Sequence, residues 1–281
     1  MRVVSLLPST TEILFAVGAA DAVVGVTFEC DYPVEARSRR IVSSTSLPEG
    51  LTPAEIDAHV SAAMAAGEDL YRLDAGALSD LDADLVVTQD LCAVCAIDVS
   101  VVDDALAHLG CTAAVLTFDP HTLDEVLASV VTLGDAVGRP AEARALEAAL
   151  RGRLDAVRAR VARRPRPRVV LLEWTDPPYA PGHWIPEMIE AAGGECVLGA
   201  AGEKSVRVPW EAVHEARPDV VLVAPCGYDR AGAQAQADSL VAAGLLPDGV
   251  TVHAVDADAM WARPGPRLVD GVEELADLLA R

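Results

Sequence analysis

The chain predicts an α/β protein of two Rossmann-like lobes with mainly parallel sheets, joined by a long backbone helix. Three observations carry this. Short runs of β-branched and aliphatic residues alternate with helical patterns, the signature of parallel sheets covered by helices. That rhythm stops between Thr122 and Ala162, where roughly 40 residues keep helical periodicity without a strand, against about 11–12 for an ordinary helix. The rhythm then resumes, and 281 residues suffice for two domains of ordinary size. The divisions expected are residues 1–120 for the first lobe, 121–164 for the connecting helix and 165–281 for the second lobe.

Each element follows from local chemistry. Residues 3–7 form a strand. Ser9-Thr10-Thr11-Glu12 matches a capping box, with Ser9 capping a helix over 10–17 that Gly18 closes. Residues 22–29 and 41–44 are strands, and Thr52-Pro53-Ala54-Glu55 opens a helix with proline in its first turn. A short helix ends at 78–81, before a strand at 85–88. A helix over 101–109 and a strand over 112–118 complete the lobe. Gly138-Arg139-Pro140 is the single interruption of the helical stretch that follows. The basic run Arg163-Arg164-Pro165-Arg166-Pro167-Arg168 ends it as a solvated linker. Strands at 169–173, 220–224 and 251–255 then alternate with helices at 186–192, 210–216, 231–243 and 268–280.

The formal net charge is −21. Nucleic acid and anionic membrane surfaces both require basic patches, so neither is an expected partner. No apolar run reaches the roughly 20 residues that span a bilayer, so no membrane insertion is expected. Met1-Arg2-Val3-Val4-Ser5 runs straight into a strand with no apolar leader core. The expected location is cytoplasmic, or periplasmic or extracellular if a leader has been removed.

Four of the six cysteines follow expected strand ends: Cys30, Cys92, Cys95 and Cys226. In open α/β sheets, ligands sit outside the carboxyl ends of the strands. Thiolates at that edge suit zinc or an iron–sulfur cluster, and Cys92-x-x-Cys95 supplies two ligands from one turn. In a reducing compartment such spacing favours metal or redox chemistry over a structural disulfide. Plain buried thiols are the alternative. Cys111 and Cys196 read as core thiols.

The chain has eleven aromatic residues, and most fall in loops at the same edge: Tyr32, Trp174, Tyr179, Trp184, Tyr228 and Trp261. Loop aromatics suit a large, flat, partly apolar ligand, or else they seal a contact between lobes. His183, in Pro181-Gly182-His183-Trp184, is the histidine best placed to face a ligand. Glu29, Asp31, Asp90, Glu173, Asp176, Asp229, Arg263 and Arg267 collect nearby. Their spacing singles out no acid–base pair, and neither a glycine-rich phosphate loop nor a Gly-x-Ser-x-Gly elbow is present. A binding protein is therefore favoured over an enzyme.

Ser5-Leu6-Leu7-Pro8-Ser9-Thr10-Thr11-Glu12-Ile13-Leu14, Gly18 and Asp21-Ala22-Val23-Val24-Gly25-Val26-Thr27 resemble the opening of the helical-backbone metal-receptor family. This is the class III periplasmic-binding-protein family, the cobalamin- and siderophore-binding components of ABC importers. Asp82-Ala83-Asp84-Leu85-Val86-Val87, Arg217-Pro218-Asp219-Val220-Val221-Leu222 and Arg263-Pro264-Gly265-Pro266-Arg267-Leu268 extend the resemblance along nearly the whole chain. It implies two lobes on one long helix and a corrinoid or related metal chelate in the cleft between them. Pro8, Ser9, Glu29, Tyr32, Trp174 and Tyr179 would contact that ligand, with His183, Trp184, Tyr228, Trp261 and Arg263. The cysteine motifs depart from the family pattern. They leave a second expectation open, a cytosolic metalloprotein or enzyme with a four-cysteine iron–sulfur or zinc site in the same cleft. Importer docking uses one acidic residue per lobe; Glu211 matches the second position, whereas the first falls at Gly76. That mismatch argues against an ABC transporter as partner.

Overall fold

The computed structural model describes residues 1–66, 68, 70–78, 80–89 and 113–280. The chain divides into two compact units, residues 1–120 with 128–147, and residues 121–127 with 148–281.

The first unit opens with β1 (Val3–Ser5) and α1 (Pro8–Ala16), followed by β2 (Val23–Val26), β3 (Arg40–Ile41) and β4 (Ser43–Thr45). Then come α2 (Pro53–Ala66), β5 (Tyr71–Leu73), α3 (Ala75–Leu78), β6 (Leu85–Thr88) and β7 (Ala114–Thr117). The main sheet is parallel, in the order β3-β2-β1-β6-β7. Its central strands are buried on both faces, and Val4, Leu6, Val42, Leu81 and Val86 form part of its core. The short pair β4 and β5 is antiparallel.

Helix α1 corrects one expectation. It starts at Pro8, with Leu7 as a cap residue that makes no side-chain cap bond. Proline's fixed φ and missing N–H suit the first helical position, so the helix begins before Ser9 can act as cap. Ser9 lies inside the helix and is buried. The hydroxyls of Thr10 and Thr11 donate instead to the Leu7 carbonyl at 3.2 and 3.0 Å.

The helical stretch comprises α4 (Leu123–Ala136) and the 22-residue α5 (Pro140–Val161), with Gly138 at φ +70° in the turn between them. The two run antiparallel. Arg151 of α5 pairs with Asp124 at 2.5 Å, and Arg144 with Asp135 at 3.5 Å. A Cβ on Gly134 would collide with Ala143, so glycine permits this close approach.

The second unit follows with β8 (Arg168–Leu172), β9 (Trp174–Thr175), β10 (Pro178–Ala180), α6 (Ile185–Ala191), β11 (Glu195–Cys196) and β12 (Val206–Arg207). Next are α7 (Trp210–Glu215), β13 (Val220–Val223), α8 (Arg230–Ala242), β14 (Thr251–Ala254), α9 (Ala257–Met260) and α10 (Leu268–Leu278). Its main sheet is parallel, in the order β11-β8-β13-β14. The chain moves outward from β8 to β11 and then returns to the other side for β13. The strand order therefore reverses between β8 and β13, the point where doubly wound sheets open a ligand crevice. A small antiparallel sheet, β12-β10-β9, grows from the end of β8. Sequence patterning misses it because its strands are only two or three residues long and interrupted by prolines.

Candidate functional site

The site is built on the reversal point of the second sheet. Past the strand ends, the Cys226 N–H donates to the Glu173 carbonyl at 3.0 Å, and the Asp258 N–H to the Tyr228 carbonyl at 3.1 Å. Asp229 caps α8 through the Gly232 N–H at 2.8 Å, and Asp256 caps α9 through the Ala259 N–H at 3.0 Å. These bonds fix the loops after β8, β13 and β14 beside one another. They place the half-buried rings of Trp174 and Tyr228 with centroids 5.9 Å apart, tilted by 58°. The Trp174 indole N–H donates to the Asp176 carbonyl at 3.1 Å, which sets its ring plane. Burial pushes the Tyr228 hydroxyl pKa up, so it stays protonated. Cys226 is exposed in the same loop. Arg263 is turned inward onto Asp258 at 2.7 Å, with its side chain one-tenth exposed, and so braces the loop.

The other aromatics divide. Tyr179, on β10, lies under the guanidinium of Arg207, 5.8 Å from its ring centroid. Trp184 and Trp261 are expected to line the ligand edge, but the structure places both in the interior, 5 % and 1 % exposed. The Trp184 indole N–H donates to the Trp261 carbonyl at 2.8 Å. The large apolar area of two indoles is better satisfied inside than at a loop surface.

His183 sits in a tight loop at φ +49°, a left-handed conformation uncommon outside glycine. Its N–H donates to the Glu203 carbonyl at 2.6 Å, and the Gly202 N–H donates to the His183 carbonyl at 3.0 Å. The Gly182 N–H donates to the Glu173 carboxylate at 3.3 Å, tying this loop to the end of β8. His121 and Trp184 each lie 5.6 Å from the His183 ring. Burial, and then the charges of His121 and Lys204, lower the His183 pKa. An open depression of about 620 Å³ is lined by His121, Pro181, Gly199, Gly202, Glu203 and Lys204.

In the first unit, Pro8 opens α1 at the carboxyl end of β1. Behind it runs a buried chain of hydroxyls. Ser5 Oγ lies 2.7 Å from Thr10 Oγ1 and accepts from Thr11 Oγ1 at 2.9 Å, and Thr11 Oγ1 lies 3.1 Å from the Cys30 sulfur. Cys30 is 2 % exposed. Glu29 accepts from the Tyr71 hydroxyl at 2.9 Å, and Phe28 stacks on Tyr71 at 5.7 Å. Tyr32 is exposed. Cys92 and Cys95 lie outside the described residues, as do Asp90 and Cys111. Among the described residues, no three of His, Cys, Asp and Glu converge in a way that could hold a metal ion. Glu211 is exposed in the first turn of α7, and Gly76 is exposed in α3.

Two units, each a parallel sheet flanked by helices, define an α/β binding protein of the class III periplasmic type. The chain belongs to the periplasmic binding protein family, whose model matches residues 3–243. The vitamin B12-binding protein of Yersinia pestis (strain Pestoides F) is 27 % identical over 99 % of this chain and 86 % of its own length. Among solved structures, the periplasmic vitamin B12 binding protein BtuF of Vibrio cholerae superposes with a TM-score of 0.70. It is 22 % identical and covers 99 % of this chain and 96 % of its own. A periplasmic heme binding protein from Pseudomonas aeruginosa superposes at 0.73, with 20 % identity, covering 99 % of this chain and 91 % of its own.

These relatives redirect three expectations. None is named for an iron–sulfur or zinc site, so the four-cysteine alternative gains no support. Both of those solved structures are named as periplasmic, which gives no support to a cytoplasmic location. Among the described residues no helix is long and apolar enough to cross a membrane. The argument against a transporter partner gains no support either. One further structural neighbour, from Listeria monocytogenes EGD-e, is named an ABC transporter substrate-binding protein.

Proposed function

We infer that the chain binds a flat metal–tetrapyrrole chelate, a corrinoid ahead of a haem, as an extracytoplasmic receptor that hands its ligand to an ABC importer. The observation that carries this is the Trp174–Tyr228 pair at the reversal point of the second sheet. Two rings 5.9 Å apart and half-buried offer an apolar wall beside backbone groups already satisfied by each other. Such a wall suits a broad macrocycle whose polar groups lie at its rim. The B12-binding relatives favour a corrinoid, because they match this chain in sequence over almost its full length.

Titrating the purified protein with cyanocobalamin and, separately, with hemin while following tryptophan fluorescence tests the proposal. Saturable one-to-one quenching by cyanocobalamin at low micromolar concentration or below is expected, with weaker quenching by hemin. Tighter binding of hemin would reverse the ligand order. No saturable response to either would overturn the chelate proposal.

A further inference from the structure

The loop at His183 carries chemistry that an aromatic wall does not use. The Nε2 of His183 is buried without a hydrogen-bond partner. An unmet buried polar atom costs about 1–3 kcal/mol, so this nitrogen has a reason to seek one. Its ring centroid stands 5.6 Å from that of His121, with the planes at 53°. His121 Nδ1 is 3.2 Å from the Gly202 carbonyl. That carbonyl accepts only from an Nδ1–H tautomer, which leaves Nε2 of His121 as the nitrogen with a free lone pair. A histidine oriented by a backbone carbonyl through its second nitrogen is the usual arrangement of a metal-bound imidazole.

Spacing agrees with this chemistry. Zinc–nitrogen bonds run about 2.0–2.1 Å, and a ring centre lies about 1.1 Å beyond its nitrogen, so two imidazoles on one near-tetrahedral ion have centres about 5–6 Å apart. The backbone around His183 is also preset. Its N–H and carbonyl are both engaged, at 2.6 and 3.0 Å. A Cβ on Gly182 would collide with Glu203 backbone.

We propose that His121 and His183 form a two-imidazole site for a late first-row divalent cation such as zinc or nickel, beside the depression that His121 lines with Glu203 and Lys204. Two protein ligands with water completing the shell give micromolar rather than tighter affinity. Imidazoles must be neutral to bind a metal, so binding should weaken in acid. Lys204 opposes the cation, and its flexible stem lets the ammonium swing away.

Nitrogen-15 spectra of the six histidine side chains during titration with zinc chloride test the site. The His121 and His183 resonances should move together and saturate at one ion per chain, with the other four unmoved. His183→Asn, which tolerates the left-handed backbone, should weaken the His121 response at least tenfold. His121→Gln should do the same to His183, and Lys204→Gln should tighten both several-fold. Unmoved His121 and His183 resonances at millimolar zinc, or an undiminished His121 response in His183→Asn, would overturn the site. Neither result bears on cyanocobalamin quenching, so the two proposals fail separately.

Discussion

The Cys226 N–H donates to the Glu173 carbonyl at 3.0 Å, just past the last paired residues of β13 and β8. This one bond ties the two loops at the reversal point of the second sheet, and the Trp174–Tyr228 wall depends on it. Removing one ring should leave the fold intact and weaken chelate binding. Trp174→Ala is expected to raise the Kd for cyanocobalamin about tenfold, or about 1.4 kcal/mol. Tyr228→Phe should leave it nearly unchanged, because the ring and not the hydroxyl forms the wall. Equal affinity in Trp174→Ala and the parent protein, with unchanged circular dichroism, would remove the wall from the binding site.

The same residues show what the sequence could and could not say. Val220–Val223 and Arg168–Leu172 are legible because parallel strands buried on both faces read as unbroken aliphatic runs. The capping-box pattern is less decisive. It is realised at Thr52, whose N–H donates to Glu55 at 2.8 Å, and at Thr122, whose N–H donates to Glu125 at 3.1 Å. It fails at Ser9 because Pro8 starts the helix two residues early. Loop aromatics are the hardest case. Nothing local distinguishes half-buried Trp174 from Trp261, whose burial comes from distant contacts. His121 carries no local sequence signal that sets it apart from the other histidines. Only the fold brings it beside His183.

The cysteines should separate by reactivity. Cys226 is exposed, whereas Cys30 is buried against the Thr11 hydroxyl. Burial also pushes the Cys196 thiol pKa up, which lowers its thiolate fraction. Among the three cysteines of the described residues, brief treatment of native protein with iodoacetamide, read by peptide mass spectrometry, should label Cys226 first and Cys196 slowly. Cys30 should be labelled only after denaturation. Early labelling of Cys30 would show that the hydroxyl chain behind α1 opens in solution.

That hydroxyl chain should also stabilise the first unit. Ser5 Oγ is buried and bonded to both Thr10 and Thr11. Ser5→Ala removes a shared partner from two interior hydroxyls, each of which keeps its bond to the Leu7 carbonyl. The expected loss is about 1–2 kcal/mol, read as a lower urea midpoint with an unchanged slope. No shift of the midpoint would mean that the two threonines satisfy themselves locally.

The His183 loop should be intolerant of a single methyl group. A Cβ on Gly182 meets backbone atoms of Glu203 and Ser205, and one on Gly199, at φ +107°, meets the Pro181 carbonyl. Backbone atoms cannot rotate away as side chains do. Gly182→Ala should therefore cost at least about 2 kcal/mol, in the range for overpacking a tight site. Gly152→Ala, in α5 with open space around it, should be neutral or slightly stabilising. Similar thermal midpoints for the two variants would show that the loop is not held by these contacts.

Acid should weaken the junction of α5 and α10. Arg153 donates to Glu273 at 2.9 and 2.6 Å and to Asp270 at 2.5 Å. The guanidinium bonded to it holds the Glu273 carboxyl below the usual range, against a smaller opposing push from burial. A carboxyl whose folded pKa is lowered stabilises the protein above its unfolded pKa, about 4.3, and loses that contribution as pH falls through the folded value. Arg153 is itself raised and stays charged throughout. The groups are more than a third exposed, so solvent screening holds the pair to about 1 kcal/mol despite its two-point geometry. Arg153→Ala should therefore lower unfolding free energy by about 1 kcal/mol at pH 7, and the gap to the parent should narrow as pH falls below the unfolded pKa of about 4.3. Urea denaturation at pH 7 and at pH 3.5 measures this directly. An equal gap at both pH values would mean that Arg153 acts through its packed aliphatic stem rather than through its charge.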